Sequence, residues 1–448
     1  MDMAESLAAS TPQSIMIIDS AGATDHVFFF KEARKAAAGI LALGSKRLYV
    51  HMRDSARLMA VLAGASAAGV EACVLPRLWS CSEAHNVRLQ LGAGSLVTDE
   101  ENPPGEFLRA EDFFADRRPA SGPWGKGNIV ILTSGTTGIP KAALHTWERL
   151  LGRGGPRRSS RRLRWLLAYP LNHFAGIQML VRALNTGETL VVPVDRSVDA
   201  ITAAVRDHDV TAISATPTFW RNFLGRLAPS AAATLPLEQI TLGGEPVTSG
   251  ILEKARALFP RAAISQVYAT TELGTCFSVK DGLPGFPAQY LDRPVGNAEL
   301  RIIDGELMVR SRNSMLGYLG APSSDESDSW RPTGDLVEER NGRVYFLGRK
   351  EEIINVGGVK VHPARVEEAV LKSGGVLAAR VYGRSNPVTG QIVAVEVEAA
   401  PDSDVAEIES AIRKNCRESL SRYEMPRDIL FVRALARRNE KIERRTMR

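Results

Sequence analysis

From Asn128 onward, short apolar runs alternate with stretches of helical periodicity, and this alternation restricts the fold more than any other feature of the chain. Asn128-Ile129-Val130-Ile131-Leu132-Thr133 reads as a buried strand, and residues 189–194, 210–214, 239–242 and 264–268 read the same way. Residues 175–184, 198–206, 219–227 and 249–259, lying between them, carry helical patterning. Parallel strands need a crossover connection, so strand–helix alternation predicts sheets covered by helices on both faces. The first hundred residues alternate similarly, with strands expected at 48–51, 73–75 and 95–98. No fixed-period repeat is present.

The pattern changes near Arg301. Apolar runs flank Asp304-Gly305, and Asn341-Gly342 precedes another; both pairs are hairpin signals. Residues 323–329 read as a Ser/Asp-rich loop. After Gly348 the chain reads as a small α+β unit, with helices at 363–372 and 404–420 and strands at 378–382 and 391–397. The expected division is a large unit, 1–348, and a small one, 349–448, joined at 349–351.

With 448 residues, of which 44% are hydrophobic and 24% charged, the chain can bury a core without disulfides or metal. Its net charge of +5 is too small for its size to indicate a nucleic-acid partner. Cys73, Cys81, Cys276 and Cys416 form no CxxC pair, which excludes the usual zinc and thioredoxin spacings. With no signal-peptide pattern after Met1, a cytoplasmic protein with reduced thiols is expected. The best membrane candidate, 58–75, is rich in Ala and Gly and interrupted by Glu71, so a buried helix is expected instead of a span. Six arginines between 153 and 164 read as a solvated loop or as a docking patch for an anionic partner.

The densest chemical signal is Thr133-Ser134-Gly135-Thr136-Thr137-Gly138-Ile139-Pro140-Lys141, directly after a buried strand. Small hydroxyl residues and glycines let backbone amides approach an anion, and Lys141 adds a mobile positive charge. The set suits a triphosphate tail. It is not a Walker A loop, because Pro140 and Ala142 flank the lysine.

This stretch resembles the phosphate-binding loop of the adenylate-forming superfamily, which includes acyl-CoA synthetases, peptide-synthetase adenylation domains and firefly luciferase. Further segments match in order. Leu242-Gly243-Gly244-Glu245 resembles the adenine-side loop, and Tyr268-Ala269-Thr270-Thr271-Glu272 the segment lining adenine and the acyl phosphate. Gly305-Glu306-Leu307 and Met315-Leu316-Gly317-Tyr318 resemble the strand and turn before the ribose site. Thr333-Gly334-Asp335 is similar to the ribose motif. The run from Gly348 through Arg349 and Glu351 to Gly357-Gly358 resembles the hinge and thiol-tunnel segment, and Asn439-Glu440-Lys441-Ile442 the catalytic-lysine motif.

The resemblance implies a large AMP-binding domain of parallel and mixed sheets with a small β-barrel-like subdomain, followed by a mobile α+β lid. It implies that ATP is held by Thr133, Ser134, Gly135, Thr136, Thr137, Gly138, Lys141, Gly243, Gly244, Glu245, Tyr268, Thr271, Asp335 and Arg349. Asp335 would accept both ribose hydroxyls, and Arg349 offers a forked cation. Glu272 is a hard oxygen ligand suited to Mg²⁺. His173, Gly244 and Ala269 fall beside the acyl pocket, together with Asn172, Phe174, Thr216, Pro217 and Phe219. Gly357 and Gly358 leave room for a pantetheine arm, Glu351 is the hinge, and Lys441, Glu272, Thr271 and Lys141 are the catalytic set. Glu351 stands where the family usually has Asp, and Glu440 where it usually has Gly.

The implied reaction joins a small carboxylic acid to ATP as an acyl-adenylate and then transfers the acyl group to coenzyme A. Two alternatives stand beside it: an adenylation enzyme that loads the pantetheine of an acyl carrier protein, and a non-catalytic protein that binds ATP or an acyl-adenylate.

Overall fold

The structure is a computed structural model; it describes residues 14–103, 105–115, 120, 127–133, 140–151, 162–320, 329–401, 403–435, 437–438 and 441–442. Among the described residues the chain forms two large mixed sheets, a five-stranded antiparallel sheet, and a further five-stranded sheet from its last hundred residues.

The seven-stranded sheet takes its centre from Arg47–His51, Glu71–Val74, Ser95–Thr98 and Asn128–Thr133, all parallel. Its edge is antiparallel: Asn128–Thr133 pairs with Lys141–Thr146, which pairs in turn with Gly317–Tyr318. The eight-stranded sheet is parallel through Ala263–Thr270, Gln239–Gly243, Ala212–Ala215, Arg164–Leu167, Thr189–Val191 and Ile15–Asp19. Antiparallel strands Gly274–Val279 and Gly22–Asp25 close its two ends. The strands read from the sequence are present within a few residues, and the sheets are mixed as expected, although strand–helix alternation alone does not mark these antiparallel edges. Hydrophobicity marks a strand as buried and says nothing of its direction.

Helices His26–Leu43, Ala56–Ala68 and Phe174–Thr186 share one hydrophobic core with both large sheets, from Val50, Val97 and Ile131 on one side to Ile17, Trp165 and Leu190 on the other. The first two touch closely at Gly64, where a Cβ would lie 2.8 Å from that of Ala36. Ala56–Ala68 takes the first part of the suspected membrane stretch and is buried in this core, as expected, while Glu71–Val74 at the end of that stretch is a strand and not helix. Among the described residues, no helix is long and apolar enough to cross a membrane. Helices Val198–Asp207, Pro217–Arg226 and Ser249–Leu258 cover the other face of the eight-stranded sheet.

The hairpin signals hold. Asp304-Gly305 (φ 51° and 75°) joins Ala298–Ile303 to Glu306–Ser311, and Asn341-Gly342 (51° and 73°) joins Arg331–Arg340 to Arg343–Arg349. Turns with both central residues left-handed match the right-handed twist of the strands they connect. These strands and Phe286–Pro287 form the five-stranded antiparallel sheet. After the single turn Lys350–Glu352 the chain enters the last sheet, where helices Pro363–Leu371 and Val405–Ser419 pack on strands Val376–Asn386 and Gly390–Ala399. The Ser/Asp-rich segment, apart from Ser329, lies outside the described residues, and so do Arg153, Arg157, Arg158 and Arg161 of the basic stretch.

Candidate active site

The phosphate-friendly loop joins two antiparallel strands: Thr133 and Lys141 are register partners, so its two ends return to one place at the edge of the seven-stranded sheet. Ser134, Gly135, Thr136, Thr137 and Gly138 lie outside the described residues. Lys141 is exposed, and its Nζ sits over the Tyr318 ring, 5.5 Å from the centroid.

The Thr271–Glu272 pair occupies the turn between Ala263–Thr270 and Gly274–Val279, at the end of the other large sheet. The turn is closed by Leu273 N donating to Thr270 Oγ1 at 3.1 Å. It reaches across to the edge of the seven-stranded sheet. Tyr318 donates its hydroxyl to Glu272 Oε1 at 3.1 Å, Met315 N donates to Glu272 O at 2.9 Å, and His145 Nε2 lies 2.7 Å from Thr271 O. Burial lowers His145 to about 4, so the imidazole is neutral above that and its one N–H sits on Nε2, facing the carbonyl. Burial, and then the Glu272 carboxylate, raise the Tyr318 phenol. The sequence gives Tyr318 no role beyond its motif and leaves His145 unnoticed. The signal for both is register, which a single sequence does not carry.

Asp335 sits where the five-stranded sheet meets Tyr268. Tyr268 donates to Asp335 Oδ2 at 2.6 Å, and Arg349, the register partner of Asp335, places Nε 3.0 Å from Oδ1. Arg349 also donates to Thr333 O at 2.6 Å, and Asp335 N donates to Thr333 Oγ1 at 3.0 Å. The Tyr268 ring is stacked between Phe277 and Phe346, at centroid distances of 5.2 and 5.3 Å. Burial, and then Asp335, push its phenol far above the usual range, so it remains a donor. Behind this group, Glu306 accepts Gly334 N at 2.9 Å on one oxygen and Lys350 Nζ at 2.9 Å on the other, which ties the Thr333-Gly334-Asp335 segment to the turn that holds Glu351.

The remaining candidates separate. Gly243 ends its strand and accepts the Tyr169 hydroxyl at 3.2 Å, and Gly244 turns the chain at φ 84°. The Glu245 carboxylate is engaged elsewhere: one oxygen accepts Thr218 N at 2.9 Å and Thr218 Oγ1 at 2.7 Å, at the start of helix Pro217–Arg226, where the dipole favours a negative charge. His173 precedes helix Phe174–Thr186, half-buried, with Nε2 3.2 Å from Asn172 Nδ2. Its segment is pinned by Asp54, which accepts Leu171 N at 3.1 Å and pairs with Arg196 at 2.7 Å. Gly176 is required there, since a Cβ would lie 2.0 Å from Pro170 O. Ala269 packs against the core that contains Leu171 and Phe174. Of the other suggested pocket residues, Thr216 is buried as a helix cap and Phe219 packs with Trp220 and Phe223 in the outer core.

In the last hundred residues, Gly357 and Gly358 (φ 60° and 88°) form the tip of a hairpin, and a Cβ on Gly358 would meet nothing within 4 Å. Glu351 is exposed in the single turn Lys350–Glu352. Lys441 begins a short strand paired with Arg437–Arg438, while Asn439 and Glu440 lie outside the described residues.

Mg²⁺ is the metal that this set of residues suits. Among the described residues no cluster of three or more His, Cys, Asp or Glu could hold a metal by itself. Glu272 offers one carboxylate oxygen with no hydrogen bond among the described residues, the other being held by Tyr318. One carboxylate oxygen beside a phosphate-bearing substrate is how Mg²⁺ is commonly bound, with water completing its shell.

A family model described as AMP-binding enzyme matches residues 5–319, and one described as AMP-binding enzyme C-terminal domain matches 365–441. The chain belongs to the AMP-binding enzyme family. A 2-succinylbenzoate–CoA ligase of Bacillus pumilus is 29% identical over 342 residues, 71% of this chain and 68% of the relative. Two solved structures share the fold over nearly the whole length. The o-succinylbenzoate CoA synthetase of Bacillus subtilis, in complex with its acyl-adenylate, has a TM-score of 0.78 at 23% identity, covering 99% of this chain and 96% of the other. A benzoate CoA ligase from Burkholderia xenovorans has a TM-score of 0.81 at 21% identity, covering 99% of each.

Proposed function

We propose that this chain is an AMP-forming acid–thiol ligase, which activates a small carboxylic acid as its acyl-adenylate and passes the acyl group to the thiol of coenzyme A. The observation that carries the reading is the meeting of Lys141 and Glu272 at Tyr318. A cation and a hard-oxygen carboxylate from two different sheets converge at the mouth of a loop built for phosphate.

In the first step the carboxylate oxygen attacks the α-phosphorus of ATP and pyrophosphate leaves. Two anions approach each other, so positive charge must be in place beforehand. Lys141 and the loop amides supply part of it, and Thr271 donates to a phosphate oxygen. Mg²⁺, when bound at Glu272, would neutralise charge developing on the phosphates. Asp335 and Arg349 hold the ribose, and Tyr268 with Gly243 and Gly244 lines the adenine. Because the Glu245 carboxylate is committed to a helix, its contribution to that wall comes from its backbone. His173, Gly244 and Ala269 border the acid. In the second step the thiol attacks the acyl carbonyl and AMP leaves.

Lys441 and the Gly357-Gly358 tip belong to the unit that follows residue 348. They serve the two steps in turn as that unit rotates about Glu351, a rigid-body hinge motion. The units are 1–348 and 349–448, and the compartment is the cytoplasm, in keeping with four free cysteines. The relatives are named for ring-bearing acids, so 2-succinylbenzoate and benzoate head the panel to test, followed by short- and long-chain acids.

The test is pyrophosphate release from MgATP across that panel, with coenzyme A then added as acceptor. Release with at least one acid is expected, and silence across all of them would sink the reading. Lys441→Ala should abolish pyrophosphate release, about 10²-fold or more, yet still form thioester from supplied acyl-adenylate. Equal loss of both half-reactions would remove Lys441 from its role.

A further inference from the structure

Tyr318 and Ala143 are register partners on neighbouring strands, so their side chains emerge on one face of the seven-stranded sheet. Lys141 and His145 stand two residues to either side of Ala143 and share that face, because side chains in a strand alternate with a period of two. The contacts follow this pattern: Lys141 lies over the Tyr318 ring, Tyr318 donates to Glu272, and His145 donates to the carbonyl of Thr271. Glu272 and Thr271 come from the other large sheet and reach this face only as the tip of a turn. A glutamate at a turn tip has several rotamers open to it. Here one oxygen is fixed by a phenol and, among the described residues, the other takes no hydrogen bond.

We propose that Tyr318 and His145 are positioning residues, which lock the Thr271–Glu272 tip of one sheet onto the face of the other that carries Lys141, so that Glu272 presents a single aimed oxygen to the Mg²⁺ of MgATP. Tyr318 sets the carboxylate and His145 sets the backbone beneath it. The inference rests on Glu272 being the carboxylate that receives Mg²⁺. It adds that Glu272 is competent only when held from the opposite sheet.

Tyr318→Phe keeps the ring under Lys141 and removes only the hydroxyl, so the fold is retained. The measurement is calorimetric titration of ATP into the wild-type, Tyr318→Phe and Glu272→Gln proteins, at low and at saturating Mg²⁺; no acid is needed. The wild-type affinity for ATP should rise with Mg²⁺. Glu272→Gln should lose most of that rise, and Tyr318→Phe should lose about tenfold of it at unchanged Tm, the effect of one hydrogen bond to a charged group. His145→Gln, which keeps an N–H donor, should retain more of the rise than His145→Ala. A Tyr318→Phe protein with the full wild-type Mg²⁺ dependence, beside a Glu272→Gln protein that has lost it, overturns the inference alone. If Glu272→Gln keeps the full dependence, the reading of Glu272 falls and the inference falls with it.

Discussion

Asp335 shows how much chemistry one carboxylate can organise. Its two oxygens are held by Tyr268 and Arg349, and both partners are kept in their donating forms, the phenol by burial and the guanidinium against burial by the combined electrostatic pull of Asp335, Tyr268, Glu352 and Glu272. Asp335→Asn keeps the shape and removes the charge. Arg349 is partly exposed, so the loss of stability should be small, about 1 kcal/mol. The KM for ATP should rise by about 10- to 100-fold, since the charge-assisted contact to ribose that we propose for Asp335 would be weakened. Thermal unfolding beside ATP kinetics separates the two effects, and an unchanged KM would remove Asp335 from the ribose site. The residue itself is legible in Thr333-Gly334-Asp335. Its pairing with Tyr268 and Arg349 is not, because Tyr268 approaches from another sheet and Arg349 through strand register.

Between elements, Glu306 acts as a fastener. It begins strand Glu306–Ser311, accepts from Gly334 in the neighbouring strand, and pairs with Lys350 in the turn that follows the sheet. The Lys350 ammonium holds its carboxyl below the usual range against the opposing effect of burial, with the Gly334 amide assisting. A depressed carboxyl stabilises the fold above its unfolded pKa, and that contribution disappears as pH falls through the folded value. Lys350 is well exposed, so screening by solvent limits the cost of Glu306→Gln to about 1 kcal/mol or less at neutral pH, with the gap to wild type closing in acid. Denaturant unfolding at neutral pH and near pH 4 checks this, and a gap independent of pH would refute it. Glu245 makes the same point at helix Pro217–Arg226: a glutamate read as a nucleotide contact spends its carboxylate on a helix terminus.

In the whole molecule, several imidazoles are folded into places where a charge is costly. Burial lowers His26, His51 and His362 below their ordinary value of about 6.5. The unfolded chain then takes up protons first as pH falls. Stability from these groups is complete above about pH 6.5 and declines below it, toward the folded values. Tm should hold from pH 7.5 to about pH 6.5 and drop from there to pH 5.5, and His51→Gln should flatten part of that slope. A Tm that is flat or rising over this range would contradict the reading.

Most of what depends on neighbours along the chain is legible in the sequence, although the alternation left the helix His26–Leu43 unread. Apolar runs gave strands such as Asn128–Thr133 and Ser95–Thr98 at their full bounds, and Asp304-Gly305 and Asn341-Gly342 gave two hairpins. Ordered motifs placed most of the candidate site. The structure alone decided what depends on contact across long stretches of chain: the pairing of strand Lys141–Thr146 and the hold of Thr218 on the Glu245 carboxylate. It alone decided, too, the convergence of Lys141, His145, Tyr318 and Glu272. Periodicity and turn chemistry act within a few residues, whereas register and sheet order are settled only when distant strands compete for partners and for burial.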